Sequence, residues 1–296
     1  MKREITFLGT GCMQPTKERN HAGIMFNYDE ELLLFDCGEN IQRQARIAGF
    51  KLPKIKKIFI THWHGDHVFG LLGLLNSLSA QKDESTVYIY GPKGTSENVK
   101  IIKKLLGNQV PKLTVKECGK GKVVDTEKYV VTSQPLNHSV PCVGFKFEEK
   151  TRMKFKMTLL KKFGLKPGPL LGKLQRGKTI THKGKKISPK DVMYEIPGKS
   201  FVYITDTRPC KGAETLAKEV DVLIIESTFK EDLQEKAIEF SHLTTKEAAL
   251  IGNRSGAKKI ILTHFSQRYK YVKELEDEAK QYFPEIKAAE DFMKVK

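Results

Sequence analysis

A chain of 296 residues with 39% hydrophobic and 9% aromatic residues can bury a sizeable core, which excludes a disordered tail and fits one large α/β domain or two small ones. The formal net charge of +17 narrows the partners to anionic ones: nucleic acid, an acidic membrane surface or an acidic substrate. The five cysteines, Cys12, Cys37, Cys118, Cys142 and Cys210, are scattered and never spaced as CxxC, which argues against both a disulfide framework and a cysteine-built zinc site.

The opening MKREITFLGTGC carries charge at once and has no apolar run suited to a signal peptide or a spanning helix, so a reduced cytoplasm and no membrane are expected. REITFLG alternates and ends in glycine, predicting a first strand, and IMFNY and ELLLFDCG predict two more. ENIQRQARIAG has helical spacing and a glycine stop. KIKKIFIT predicts a strand leading into a histidine cluster, followed by an apolar helix in VFGLLGLLNSLSAQ, a strand in TVYIYGP and a helix in GTSENVKIIKKLLG. KYVVTSQ, FVYITD, DVLIIEST and KKIILTH predict further strands, with helices in TKEAALIGNRSG and KYVKELEDEAKQYF. Alternating strands and helices are the pattern of a layered α/β protein.

One stretch breaks the alternation. Residues 150–190 hold fourteen Lys and Arg and no Asp or Glu, so they supply most of the excess charge. Their middle, LKPGPLLGKLQRG, is rich in glycine and proline and predicts no regular element. A charge run is usually a solvated face, but complete lack of acids points to an inserted arm that touches phosphates.

The chemistry gathers around His62, Trp63, His64, Gly65, Asp66 and His67, directly after a strand. Residues two apart in an extended segment point the same way, so His62 and His64 face one side, Gly65 permits a turn, and Asp66 and His67 begin the next helix. Imidazole and carboxylate are the ligands zinc takes when sulfur is absent. His138 in PLNHSV, Asp206 at the end of FVYITD and His264 at the end of KKIILTH each follow an apolar strand, and α/β sheets collect ligands beyond the carboxyl ends of their strands. Seven such side chains are too many for one tetrahedral ion and suit two ions sharing a carboxylate.

The run resembles the HxHxDH signature of the metallo-β-lactamase superfamily. Over nearly its full length the chain is similar to the ribonuclease Z family of tRNA 3′ endonucleases: FLGTGCMQPTKERN, ITHWHGDHVFGLLGLL, GPLLGKLQRG, TDTRPC, ESTF, SHLTT and ILTHFSQRY recur in that family's order. HxHxDH marks only the superfamily, whereas the arm and PTKERN narrow it. The resemblance implies one αββα sandwich over residues 1–296, two mixed β-sheets flanked by helices, with a flexible tRNA-binding arm (exosite) inserted at 151–196. It implies a first zinc on His62, His64 and His138, a second on Asp66, His67 and His264, and Asp206 bridging, with manganese as the alternative metal. It further implies a homodimer in which one subunit's arm supports RNA at the other's site; no other protein partner is readable.

Two departures stand out: Ile225 where the family has histidine before Glu226, and Thr205 where it has glycine before the aspartate. As a mechanism, Asp66 would accept a proton from the attacking water while Glu226 and His242 relay one to the leaving 3′ oxygen. Lys161, Lys162, Lys166, Lys173, Arg176 and Lys178 would grip phosphates, with Gly168, Pro169 and Gly172 turning the arm tightly against RNA. Arg19 and Asn20 would contact RNA near the site. The rivals are a thioester hydrolase or small phosphodiesterase of the same superfamily, which have no use for such an arm, and a non-enzymatic RNA-binding protein with structural zinc. Structural zinc usually closes its shell with cysteine.

Overall fold

The computed structural model describes residues 3–29, 31–81 and 85–296. The chain forms two compact units: residues 1–125, 131–147 and 200–296 in the larger, residues 126–130 and 148–199 in the smaller.

Two seven-stranded sheets run through the larger unit among the described residues. The first has the order Lys294–Val295, Arg3–Gly9, Gly23–Tyr28, Glu31–Phe35, Ile55–Phe59, Val87–Gly91, Leu113–Glu117. Its early pairs are antiparallel, and it turns parallel from Glu31–Phe35 onward. The second has the order Ile286–Ala288, Ile260–Thr263, Val222–Glu226, Ser200–Ile204, Val143–Glu149, Tyr129–Pro135, Gly121–Asp125, its first four strands parallel. Parallel strands flanked by helices are covered on both faces, which is why these segments read as continuous apolar runs.

Aromatic rings fill the space between the sheets. Phe26 of the first lies 4.8 Å from both Phe147 and Phe201 of the second, and Phe59 lies 5.4 Å from Phe145, all edge to face. Outside the first sheet, the helix Gly70–Ser79 buries Leu71, Leu74, Leu75 and Leu78, one stripe at helical spacing, against Ile58 and Ile89. Outside the second, the helices Lys211–Ala217, Thr245–Ser255 and Lys273–Lys280 bury Leu216, Ala248, Ile251 and Leu275 against Leu223, Ile225, Ile260 and Leu262. Each fully buried leucine is worth about 1.5–3 kcal/mol of transfer free energy. The expected layered sandwich is present. No helix among the described residues is long and apolar enough to cross a membrane.

The smaller unit has a core of its own, formed by Leu160, Leu165, Leu174, Ile180, Ile187, Val192 and Met193. Arg152–Phe155 pairs antiparallel with Met193–Ile196. Ile180–His182 and Lys185–Ile187 form a hairpin whose two turn residues, Lys183 and Gly184, both have positive φ, as a tight two-residue hairpin turn requires. The glycine- and proline-rich middle departs from its expectation: Pro169–Gln175 is an α-helix with Gly172 inside it rather than at a turn. Proline at the first helical position presets φ, and Leu174 supplies the buried anchor that composition concealed.

Candidate metal centre

The site gathers where strands of both sheets end. Asp36 follows Glu31–Phe35, the His62–His67 loop follows Ile55–Phe59, and Asp206 and His264 follow Ser200–Ile204 and Ile260–Thr263. Asp36 (φ 55°), Asp206 (φ 43°) and His264 (φ 60°) are all left-handed, so the chain bends sharply as it leaves each strand. Such residues cost about 1–3 kcal/mol each and persist only where surrounding contacts hold them. Gly65 opens the helix Gly65–Val68 and does not have positive φ, so no left-handed turn is needed there. The tight fit lies at Gly70, where an added Cβ would sit 2.0 Å from the Gly38 carbonyl oxygen.

Two ligand sets converge. In one, His62 Nε2 and His138 Nε2 lie 3.1 and 3.2 Å from His64 Nδ1, and 3.4 and 3.8 Å from Asp206 Oδ2. In the other, His67 Nε2 lies 3.1 Å from His264 Nε2 and 3.5 Å from Asp66 Oδ2, with Asp66 Oδ2 3.3 Å from His264 Nε2. Asp206 Oδ1 lies 3.3 Å from His67 Nε2 and 3.2 Å from His264 Nε2. One carboxylate thus turns an oxygen to each set. All seven side chains expected from the sequence meet here.

Outer hydrogen bonds fix which ring nitrogens face inward. His67 Nδ1 donates to Asp36 Oδ2 (2.8 Å), His62 Nδ1 to Thr61 Oγ1 (3.1 Å), His138 Nδ1 to the Ser241 carbonyl (3.1 Å) and His264 Nδ1 to Thr228 Oγ1 (3.2 Å). Each leaves the Nε2 lone pair free for a cation, the arrangement that metal-binding histidines adopt. Thr61 accepts from His62 and Thr205 and donates to Asp36, which uses its hydroxyl fully. Asp36 also accepts from Thr61 N and from the Tyr203 hydroxyl.

The charges fit divalent cations. Burial, then the nearby His67, pushes His62 down to about 4, so it is neutral and able to ligate. Burial also lowers His64 and His138. Burial opposes charge on His67 and His264, but Asp206 and Asp66 outweigh it at His67, and Asp206, Cys12 and Asp66 outweigh it at His264, holding both well above their ordinary value. Two buried carboxylates therefore demand positive charge beside these rings. Asp206 Oδ1, buried, accepts no hydrogen bond. An orphaned carboxylate oxygen amid ring lone pairs suits a cation.

A profile described as "Beta-lactamase superfamily domain" matches residues 165–265, and one described as "Anti-Pycsar protein Apyc1" matches residues 3–118. A ribonuclease Z of Methanothermobacter thermautotrophicus is 40% identical over 294 residues, covering 99% of this chain and 96% of the relative. The chain belongs to the ribonuclease Z family. A ribonuclease BN of Escherichia coli K12 is 38% identical over 98% of both chains. The crystal structure of human tRNase Z, short form, superposes with a TM-score of 0.72 at 28% identity, over 99% of this chain and 98% of that one.

In this member of the ribonuclease Z family, Glu226 and His242 meet beside the cluster, His242 Nδ1 donating to Glu226 Oε1 at 3.2 Å. Thr207 N and Thr228 Oγ1 also donate to that buried carboxylate, at 2.7 and 2.6 Å. Burial acts against charge on His242, but Glu226 and Asp206 hold it above its ordinary value. The His242 ring lies 5.6 Å from His138 and 5.5 Å from His264, between the two sets, with its side chain 12% exposed. Ile225 points the other way, into the helix-facing core and away from these ligands. Thr205, the other departure, holds Thr61 as described.

Arg19 corrects an expectation. It is buried, and its guanidinium donates to the carbonyl oxygens of Tyr269 (2.7 Å) and Ser266 (3.4 Å), so it braces the loop after His264 rather than reaching for RNA. Asn20 Nδ2 donates to the Glu39 and His21 carbonyl oxygens. In the smaller unit Lys161, Lys162, Lys166, Lys173, Arg176 and Lys178 are all exposed. Sequence reasoning passed over Asp36, although it ends an apolar strand as Asp206 does, and that signal alone would have found it. It also passed over Arg208, which grips Glu247 through both nitrogens (2.9 and 2.5 Å) and donates to the His242 carbonyl, tying that loop to the capping box of Thr245–Ser255.

Proposed function

We propose that this protein removes the 3′ trailer of precursor tRNA, hydrolysing one phosphodiester at a centre of two divalent cations and leaving a 3′-OH on the tRNA. Zinc is the expected metal, because four of the five imidazoles present Nε2, the fifth presents Nδ1, and the carboxylates of Asp66 and Asp206 accompany them. The observation that carries the reading is Asp206, whose two oxygens face separate histidine sets.

His62, His64 and His138 would hold one ion, Asp66, His67 and His264 the other, with Asp206 between. When bound, zinc acidifies water and withdraws charge from phosphate oxygens. Asp66 stands ready to take the attacking water's proton. His242, oriented by Glu226, is the group that can return a proton to the leaving 3′ oxygen, and general acid catalysis of this kind contributes about 10²–10⁴-fold. The exposed cations of the smaller unit would grip the tRNA backbone. By family likeness the enzyme works as a homodimer in which one subunit's arm serves the other's site, and its five free cysteines favour a reduced cytoplasm.

Incubation with a precursor tRNA carrying a 3′ extension, followed by mapping of the new 3′ end, tests this directly. Cleavage at the start of the trailer, lost on chelation and restored by zinc, is expected. No cleavage with about two ions bound per chain would overturn the substrate while leaving the centre intact.

A further inference from the structure

The opening loop brings a buried thiol to the second ligand set, and the mechanism above makes no use of it. The Cys12 Sγ, a carboxylate oxygen of Asp66 and a ring nitrogen of His264 lie within 4.8 Å of one another. Atoms held about 2.0–2.3 Å from one tetrahedral zinc ion lie about 3.3–3.8 Å apart, which falls inside that bound.

Cys12 is fixed there by backbone on both sides. Gly11–Cys12 pairs in parallel with Phe265–Ser266, immediately after His264, with Ser266 opposite Cys12. Phe265 N donates to the Thr10 carbonyl at 2.8 Å. On the other side Met13 turns at φ 58° and its amide donates to Asp66 Oδ2 at 2.9 Å. The segment that carries His264 and the short helix that carries Asp66 are therefore both indexed to the residue between them. A separate observation marks the same spot as a cation position: Asp206 Oδ1, buried and without a hydrogen-bond donor, faces His264 Nε2 at 3.2 Å. Among the described residues, none of the other four cysteines belongs to a cluster of this kind.

We propose that the Cys12 sulfur is a ligand to the second cation, and that it biases this position toward zinc over manganese; this rests on the two-cation reading above. On binding, the thiol gives its proton to solvent and the sulfur–metal bond forms, as coordinated thiols deprotonate outright. Thiolate is a soft ligand that favours zinc, whereas an oxygen-rich position suits manganese. Family likeness assigns this position only imidazole and carboxylate.

The test is metal spectroscopy. Metal-free wild-type protein and Cys12→Ser are titrated with cobalt(II), with Cys142→Ala as a control for the neighbouring buried thiol. Wild type and the control should take up about two ions per chain and show a sulfur-to-cobalt charge-transfer absorption that Cys12→Ser lacks. The serine variant should hold one ion more weakly by about tenfold or more, at least the loss seen for outer-shell partners of metals. Its preference for zinc over manganese at that position should narrow by a similar factor. X-ray absorption of zinc-loaded wild type, which needs no variant to fold, should show sulfur at about 2.3 Å. Two ions bound without a sulfur scatterer, or a charge-transfer band unchanged in Cys12→Ser, would overturn the proposal. Fewer than about two ions in wild type would instead overturn the two-cation reading beneath it.

Discussion

The metal centre and the smaller basic unit are built on opposite plans. At the centre, almost every polar atom is buried and committed: Asp36 alone receives bonds from His67, Thr61 and Tyr203, and His67 and Thr61 each serve another part of the site. In the smaller unit, the cations stand exposed on a core of a few leucines, isoleucines and a valine. Hydrolysis needs groups held within fractions of an ångström, whereas binding of a polyanion needs density of charge and tolerates movement of each side chain. The difference teaches where substitutions should act on rate and where on affinity.

The sharpest break of that contrast is Asp206→Asn, which keeps a residue that tolerates left-handed backbone and removes the charge facing both ligand sets. Metal content should fall below two ions per chain, and cleavage of precursor tRNA should drop about a thousandfold, the upper end for one preorganised electrostatic group. Unchanged metal content would mean that the carboxylate bridges nothing. Next comes His242→Ala, expected to slow single-turnover cleavage by about 10²-fold or more with tRNA affinity unchanged. An unaltered rate would remove His242 from proton transfer.

Replacing Lys161, Lys162, Lys173, Arg176 and Lys178 together with glutamine should leave hydrolysis of a small phosphodiester intact and weaken tRNA binding. Each lost phosphate contact should flatten the log–log salt dependence by about 0.7–0.9. If both activities fell together, the smaller unit would belong to the catalytic apparatus. Deleting residues 151–196, which removes both strand pairs of that unit, should give the same split.

The smallest effect concerns Asp291, which accepts from Thr10, Asn20 and Gln44 and so binds the opening loop to the chain's last turn. Burial raises its carboxyl to about 6 despite those donors. The folded chain therefore keeps this proton more tightly than the unfolded chain, so the stabilising contribution is full below about pH 4 and lost as the pH rises through about 6. For a partly exposed group the loss should be on the order of 1–2 kcal/mol after screening. Thermal melts of Asp291→Asn across that range should show a flatter pH dependence than wild type.

Much of this was legible in the sequence because parallel strands advertise themselves as apolar runs and catalytic side chains sit just past their ends. His62, Asp206 and His264 could be picked from one dimension for that reason. The strands Leu113–Glu117 and Val143–Glu149 were missed, since each carries lysine and glutamate among its apolar residues. The helix Pro169–Gln175 hid behind its glycine and proline. Arg19 misled because charge suggests exposure, and nothing local announces the two carbonyls, 247 and 250 residues away, that bury it. Cys12 went unread because its partners, Asp66 and His264, come from distant loops.

The meeting of Tyr203 and Thr61 on the Asp36 carboxylate has one more implication. Tyr203 belongs to one half of the sandwich and Asp36 to the other, so this buried knot spans the seam between them. Sliding of the halves would unseat His62 and His67 before disturbing any surface loop, so on heating the catalytic architecture and the tertiary structure should vanish in a single cooperative event.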